Sequence, residues 1–194
     1  ARRGKRGKGP VLAFEFDLEE KLLEIQAALR EERYHFGNYT HFTIHEPQER
    51  LIAAAPYQDR VVHHALCNII EPVLDKAMIF DSYACRIGKG SQRAIQRARQ
   101  FLRVNSWVLK LDIKKYFFTI DHEILKQDLC RKISDTRVTN LIEQILDTYN
   151  SLKEYHFLFG NEQEVDTNRQ IGLPIGNLTS QSFANYFVTA MDRY

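Results

Sequence analysis

A chain of 194 residues, 44% hydrophobic and 27% charged, is long enough for one substantial core and has the make-up of an ordinary soluble protein, which excludes a disordered or collagen-like design. Its net charge of +2 is too small for bulk attraction to nucleic acid, so any such affinity must come from local basic surfaces. Cys67, Cys85 and Cys130 match no disulfide or metal spacing and are expected as reduced, mostly buried thiols, while no apolar run reads as a signal sequence or membrane span; the expected location is cytoplasmic.

The opening ARRGKRGKGP sets Arg2, Arg3, Lys5, Arg6 and Lys8 among glycines with no acid, whereas the rest of the chain holds slightly more acids than bases. Residues 1–16 are expected as a basic flexible tail, with two readings open: cations that wrap RNA phosphates, or a solubilising end. Asp17 with Glu20 is like a capping box, and Leu18, Leu22, Ile25 and Leu29 predict a helix to about Arg33. Phe42 to His45 and Leu51 to Ala54 predict a hairpin about a turn at residues 46–49. Val62, Leu66, Ile69 and Val73 then mark a helix from Asp59 to Ala77, with Pro72 as a kink or boundary. Within it, the adjacent His63 and His64 point apart, which favours packing or polar contacts over a shared metal.

In the loop from Tyr83 to Gly90, two glycines allow close backbone approach and Arg86 and Lys89 supply cations, as a triphosphate-binding loop requires. An ordinary exposed turn has the same make-up. Ser91 is expected to cap a helix that buries Ala94, Ile95, Ala98, Phe101 and Leu102. Its other side carries Arg93, Arg97 and Arg103, which suit either a phosphate backbone or a solvated face.

The most informative stretch is KLDIKKYFFTIDH, Lys110 to His122. Val108 to Ile113 reads as a strand with Leu109, Leu111 and Ile113 on one face, which puts Asp112 on the other. A carboxylate there can reach a hard cation such as Mg²⁺, and a turn brings Phe117 back over the same place. Asp121 is expected to cap a helix through Leu129, followed by a helix from Thr136 to Tyr149 and a hairpin from Glu154 to Asp166. Gly172 and Gly176, with Pro174 between them, form a loop whose backbone can approach a base pair. A last helix, Ser180 to Asp192, buries Phe183, Phe187 and Met191.

Two stretches together, the one around Asp112 and RQIGLPIGNLTSQSFAN from Arg169 to Asn185, resemble motifs of reverse transcriptases, in particular those of bacterial retroelements. The first is similar to the family's motif A, with its metal-binding aspartate at Asp112 and, at Phe117, the ring that screens the sugar 2′ position. In the second the family usually has Gln-Gly-x-x-x-Ser-Pro; here Ile175, Gly176, Ser180 and Gln181 match, followed by Ala184 and Asn185. Ile for Gln and Gln for Pro is the form found in diversity-generating retroelements. Tyr57 to Ile95 is similar to the fingers motifs of the same group, so the resemblance runs from about Phe42 onward.

The resemblance implies an α+β fold, the fingers and incomplete palm of a right-hand polymerase, with mixed helices and a small antiparallel sheet; fingers are expected over 17–105 and partial palm over 106–194. It implies an RNA-directed DNA polymerase that copies a template RNA into error-prone cDNA by two-metal (Mg²⁺) nucleotidyl transfer. Asp112 is the implied catalytic and metal residue, and Arg86, Lys89, Ile113, Phe117, Ile175, Gly176 and Gln181 the implied nucleotide-binding set. Arg2, Arg3, Lys5, Arg6, Lys8, Arg93 and Arg97 are candidate RNA contacts. Template RNA and primer, deoxynucleoside triphosphates and a small helical accessory protein are the implied partners, with no membrane. The chain contains no Asp-Asp pair, so the family's Tyr-x-Asp-Asp turn, which carries the remaining metal ligands, is missing, and the chain alone is expected to be inactive. The alternatives are a reverse transcriptase of another bacterial lineage (group II intron-like, CRISPR-associated or defence-linked) and a non-catalytic RNA-binding module of the same fold.

Overall fold

The long helix α3, Tyr57–Ala77, runs between two apolar clusters and joins them. Tyr57 and Val62 near its start pack with Val11, Phe14, Ile25 and Tyr34, whereas Leu66, Ile70 and Leu74 further on enter the main core. The helical spacing of these residues fixes both contacts from one element. Pro72 lies inside the helix without ending it, because its exposed ring sits between the buried anchors Ile70 and Leu74. The structure, a computed structural model, describes residues 1–45, 49–151 and 169–193. Residues 46–48 of the turn expected at 46–49, and the hairpin expected over 154–166, lie outside the described residues.

The main core gathers Ile120, Leu125 and Leu129, Ile142, Ile145 and Leu146, Leu173, and Phe183 against α3. These come from α6 (His122–Cys130), α7 (Thr136–Asp147), α8 (Leu178–Phe187) and the segments before and between them. Truncating any such fully enclosed Leu or Phe to Ala costs about 2 to 5 kcal/mol. Two of these helices begin on an aspartate. Asp121 accepts a hydrogen bond from Ile124 N at 3.0 Å, as expected from the sequence, and Asp135 accepts one from Arg137 N at 2.9 Å. The last helix ends earlier than its pattern predicts, giving way after Phe187 to a 3-10 turn, Val188–Arg193, on which Met191 is exposed.

The N-terminal segment is more ordered than its composition implies. In place of a tail to residue 16, Gly9–Phe16 forms α1, with Pro10 in its first turn and Val11 and Phe14 buried; the Phe14 ring meets Tyr57 edge-on at 5.3 Å. The helix α2 spans Leu18–Arg30, although the Asp17 side chain makes no capping bond. A buried Asp59 organises the turn that follows, accepting from the Tyr34 hydroxyl at 2.7 Å and from Gly37 N at 2.9 Å. The predicted hairpin is present as β1, Thr40–Ile44, antiparallel to β2, Arg50–Ala54, with Phe42 opposite Ile52.

Three expectations fail between residues 85 and 130. The helix α4, Ser91–Leu102, starts on Gly90 rather than a Ser91 cap and buries none of its apolar face, with Ile95, Phe101 and Leu102 all exposed. The stretch Val108 to Ile113 is not a strand: Val108, Leu109 and Leu111 are exposed, and among the described residues only β1 and β2 pair as strands. Both failures have one cause, since an apolar stripe specifies burial only when a second element comes to cover it, and a strand exists only with a partner. Cys67 is buried, but Cys85 and Cys130 are exposed thiols. The mixture of helices with a small two-stranded antiparallel sheet is the α+β architecture expected from the sequence. Among the described residues, no helix is long and apolar enough to cross a membrane.

Candidate nucleotide site

The loop from Ile171 to Asn177 is held by its backbone to three parts of the chain. Gly172 N donates to Ile120 O at 2.7 Å, Leu173 N donates to Phe117 O at 2.7 Å, and Ala53 N of β2 donates to Ile175 O at 2.9 Å. His122, fully buried, adds a bond from Nε2 to Gly172 O at 2.6 Å. Two positions require glycine. At Gly172, with φ of +91°, a Cβ would lie 2.0 Å from Ser151 Oγ; at Gly176, with φ of +136°, it would lie 2.9 Å from Ala53 O.

This stitching opens a cavity of about 390 Å³ over the loop. Its apolar side is formed by Phe117, on the short helix α5 (Tyr116–Thr119), with Ile175 and Leu178; Gly176, Asn177 and Gln181 line it beside them. Ala1, Lys5, Arg60, His63 and His64 complete the lining. Four of the seven nucleotide-binding candidates read from the sequence, Phe117, Ile175, Gly176 and Gln181, thus meet in one cavity, and Lys5 of the RNA-binding set joins them. The size falls within the range of small-ligand sites. Asn177 is held in place by donating from Nδ2 to the Tyr39 hydroxyl at 2.8 Å.

Arg60, His63 and His64 were missed by sequence reasoning as lining residues. Their positions, three and four apart along α3, would have placed them on one side of that helix, but nothing in the sequence says what lies opposite. His63 shares a 2.7 Å hydrogen bond with the Thr179 hydroxyl, and burial pushes its pKa down to about 4, so it stands uncharged near neutrality. Burial, the N-terminal amine and Lys5 also lower His64, with Glu71 opposing.

The other candidates are elsewhere. Arg86 is enclosed at the end of α3, donating from Nε to Asp75 Oδ1 at 2.6 Å and from Nη1 to Ile79 O at 2.7 Å and Ser82 O at 3.1 Å. Lys89 donates to Phe80 O and lies 3.6 Å from the centre of the Phe80 ring. Arg93 donates to Gly88 O, and Arg97 pairs with Asp81 at 2.8 Å and stacks on Phe101 at 4.5 Å. These four cations fasten the 79–90 loop to its surroundings. Of the other RNA candidates, Arg2 meets Glu15 at 3.6 Å, while Arg3, Arg6 and Lys8 are exposed. The loop reaches the cavity through one chain of bonds: Asn185 Nδ2 donates to Ala84 O at 2.6 Å, and Gln181 Nε2 donates to Asn185 Oδ1 at 3.3 Å.

Asp112 and Ile113 are exposed on the extended stretch just before α5 and do not line the cavity. Asp112 offers one carboxylate, and among the described residues no three His, Cys, Asp or Glu side chains come together as a metal centre needs. The described residues therefore do not by themselves fit a two-metal site.

Comparison with known proteins gives the arrangement a family. The chain is 27% identical over 137 residues to the putative COX1/OXI3 intron 1 protein of Saccharomyces cerevisiae, covering 71% of this chain and 15% of that protein. It is 28% identical over 117 residues to nuclear intron maturase 1, mitochondrial, of Arabidopsis thaliana, covering 59% and 16%. With the group II intron-encoded protein LtrA of Lactococcus lactis it shares 22% identity over 180 residues, covering 91% and 28%. The chain thus spans less than a third of the length of each of these relatives. The family described as reverse transcriptase (RNA-dependent DNA polymerase) matches residues 44–194, more than half of the chain, and the chain belongs to that family.

Proposed function

We propose that this chain is the fingers and the first part of the palm of an RNA-directed DNA polymerase, and that its cavity receives the nucleotide being added. The observation that carries the reading is the meeting of Phe117, Ile175, Gly176 and Gln181 on one cavity, from parts of the sequence that backbone bonds to β2 and to residues 117–120 help bring together. The Phe117 ring is the group that would oppose a 2′-hydroxyl by overlap, and the glycine at 176 lets the loop lie against β2 without a side chain between them. Template RNA, primer and deoxynucleoside triphosphates are the proposed ligands. Asp112 would supply one carboxylate to Mg²⁺, with further ligands from outside the described residues.

Two lineages are supported by different observations. The intron-encoded relatives favour a group II intron-like enzyme. Ile175 and Gln181, both facing the cavity, favour the diversity-generating type, which would add an error-prone product and a small helical accessory protein. Primer extension on an RNA template by the polymerase that carries this domain tests the common reading. Asp112→Asn should abolish synthesis with RNA binding retained, and Phe117→Ala should admit ribonucleotides more readily. Full synthesis with Asp112→Asn would remove that residue from the chemistry, and RNA binding with no synthesis by the unsubstituted protein would favour a non-catalytic RNA-binding role.

A further inference from the structure

The cavity has two unlike sides. Phe117, Ile175 and Leu178 offer apolar surface, whereas the side chains of Lys5, Arg60, His63 and His64 bring nitrogen donors beside the Ala1 amine, and no carboxylate is among the lining residues. Of the four, His63 is occupied by Thr179 and uncharged. The other three differ from it. Among the described residues, Lys5, Arg60 and His64 make no ion pair, unlike Arg86 and Arg97, which are matched by Asp75 and Asp81. Arg60 lies with its guanidinium carbon 5.5 Å from the centre of the Tyr57 ring, and its buried Nε has no hydrogen-bond partner. Turns with Lys5 N bonded to Arg2 O and Lys8 N to Lys5 O, both at 3.0 Å, shape the segment that brings Lys5 to the cavity rim.

We propose that Lys5, Arg60 and His64 form an anion subsite that takes a phosphate group of the nucleotide or strand whose sugar and base lie against Phe117 and Ile175. This deepens the function proposed above and rests on its placement of the nucleotide. These three nitrogen groups, with the Ala1 amine beside them and no acid in the lining, repel one another when charged, and Glu71 offsets this only at His64. Burial together with the charges of Arg60 and Lys8 lowers the Lys5 pKa, and Lys5 contributes in turn to the lowering at His64. A phosphate removes that repulsion and supplies acceptors for the unpartnered donors. The ligand is thus a phosphate carrying a flat apolar body. Two sources share that chemistry: the triphosphate of a free nucleotide and the phosphodiester of a bound strand.

The test is anion binding without metal or primer, so that it does not depend on polymerisation. Inorganic tripolyphosphate and a single-stranded RNA of roughly twelve nucleotides serve as probes, each titrated at several salt concentrations. Lys5→Glu is the main variant because the side chain is exposed and its loss leaves the core intact; His64→Gln and Arg60→Ala follow it. Charge reversal at the exposed Lys132, outside the cavity, sets the size of the non-specific effect. Lys5→Glu should weaken at least one probe about tenfold beyond Lys132→Glu, and lower the salt slope by about 1. Loss confined to tripolyphosphate identifies the triphosphate as the source, and loss confined to RNA identifies the strand. If Lys5→Glu acts no more strongly than Lys132→Glu on either probe, and His64→Gln changes neither affinity, the subsite is overturned. If anion binding behaves as expected but primer extension fails, only the polymerase reading falls.

Discussion

Ala53 of β2 donates its backbone N–H to the carbonyl of Ile175 at 2.9 Å, so the loop is fixed at this point by main chain alone. The side chain at 175 is free to change without moving what carries it. Ile175→Gln should therefore leave the melting temperature essentially unaltered while adding a hydrogen-bonding group to the cavity. Apolar contacts discriminate by only about 1 to 3 kcal/mol, whereas polar groups left unpaired by a wrong partner reject it more strongly. Misincorporation should fall several-fold, most visibly opposite template adenines, when products of the two enzymes are sequenced under matched conditions. An unchanged error spectrum would mean that Ile175 serves only to pack the loop.

Gly172→Ala should be severe. The new methyl would meet Ser151 Oγ at 2.0 Å and Ser151 Cβ at 2.5 Å, on a backbone with φ of +91°. Crowding and backbone strain together should cost roughly 2 to 4 kcal/mol in denaturant unfolding. Ser151→Ala should not rescue it, because Cβ remains in the way. Ser151→Gly should recover part of the loss, and full recovery would show that the backbone strain is small.

His63 should make the fold acid-sensitive well above the carboxylate range. Its folded pKa of about 4 lies below the ordinary value of 6.5, so the unfolded chain takes up the proton first as pH falls. Its contribution is complete above about pH 6.5 and is lost as pH drops through about 4, amounting to about 3 kcal/mol. The buried His122, also lowered chiefly by burial, acts in the same direction. Unfolding free energies measured across this window should flatten in His63→Gln, whose amide retains a bond to Thr179. An equally steep decline in that variant would assign the sensitivity to other groups.

Arg86 sits where its fork joins Asp75 to the carbonyls of Ile79 and Ser82. Arg86→Lys keeps the charge but loses the geometry, and stability should fall by about 1 to 3 kcal/mol. Denaturation of the two proteins checks this. A raised nucleotide KM with unchanged stability would instead return Arg86 to a phosphate-binding role.

The legible parts of this chain were those in which local pattern and tertiary need agree. The helix expected from Asp59 to Ala77, the aspartate cap at Asp121 and the strands flanking residues 46–48 each describe an element that needs little from elsewhere, although within that helix Ile70 and Leu74 are buried whereas Ile69 and Val73 of the expected stripe are exposed. Phe117, Ile175, Gly176 and Gln181 were legible by resemblance, and their meeting needed backbone bonds that no side-chain pattern records. Composition misled at the start of the chain. Glycine and lysine suggested a flexible end, yet the apolar pair Val11 and Phe14 was enough to seat a helix against Tyr57. Arg86 and Lys89 show the opposite limit, since a cation's sequence neighbours do not reveal that a carbonyl or an aromatic ring has already engaged it.

The uncovered stretch from Trp107 to Leu111 has a consequence for handling this polypeptide. Trp107 is 92% exposed and Leu109 81%, and among the described residues the backbone from 107 to 113 has no hydrogen-bonding partner. A row of open amides and carbonyls carrying large apolar side chains is a template for adhesion between copies, held back by the interspersed charges of Lys110 and Asp112 and by Lys114 and Lys115 after them. Neutralising those lysines should lower solubility well before it disturbs the folded core.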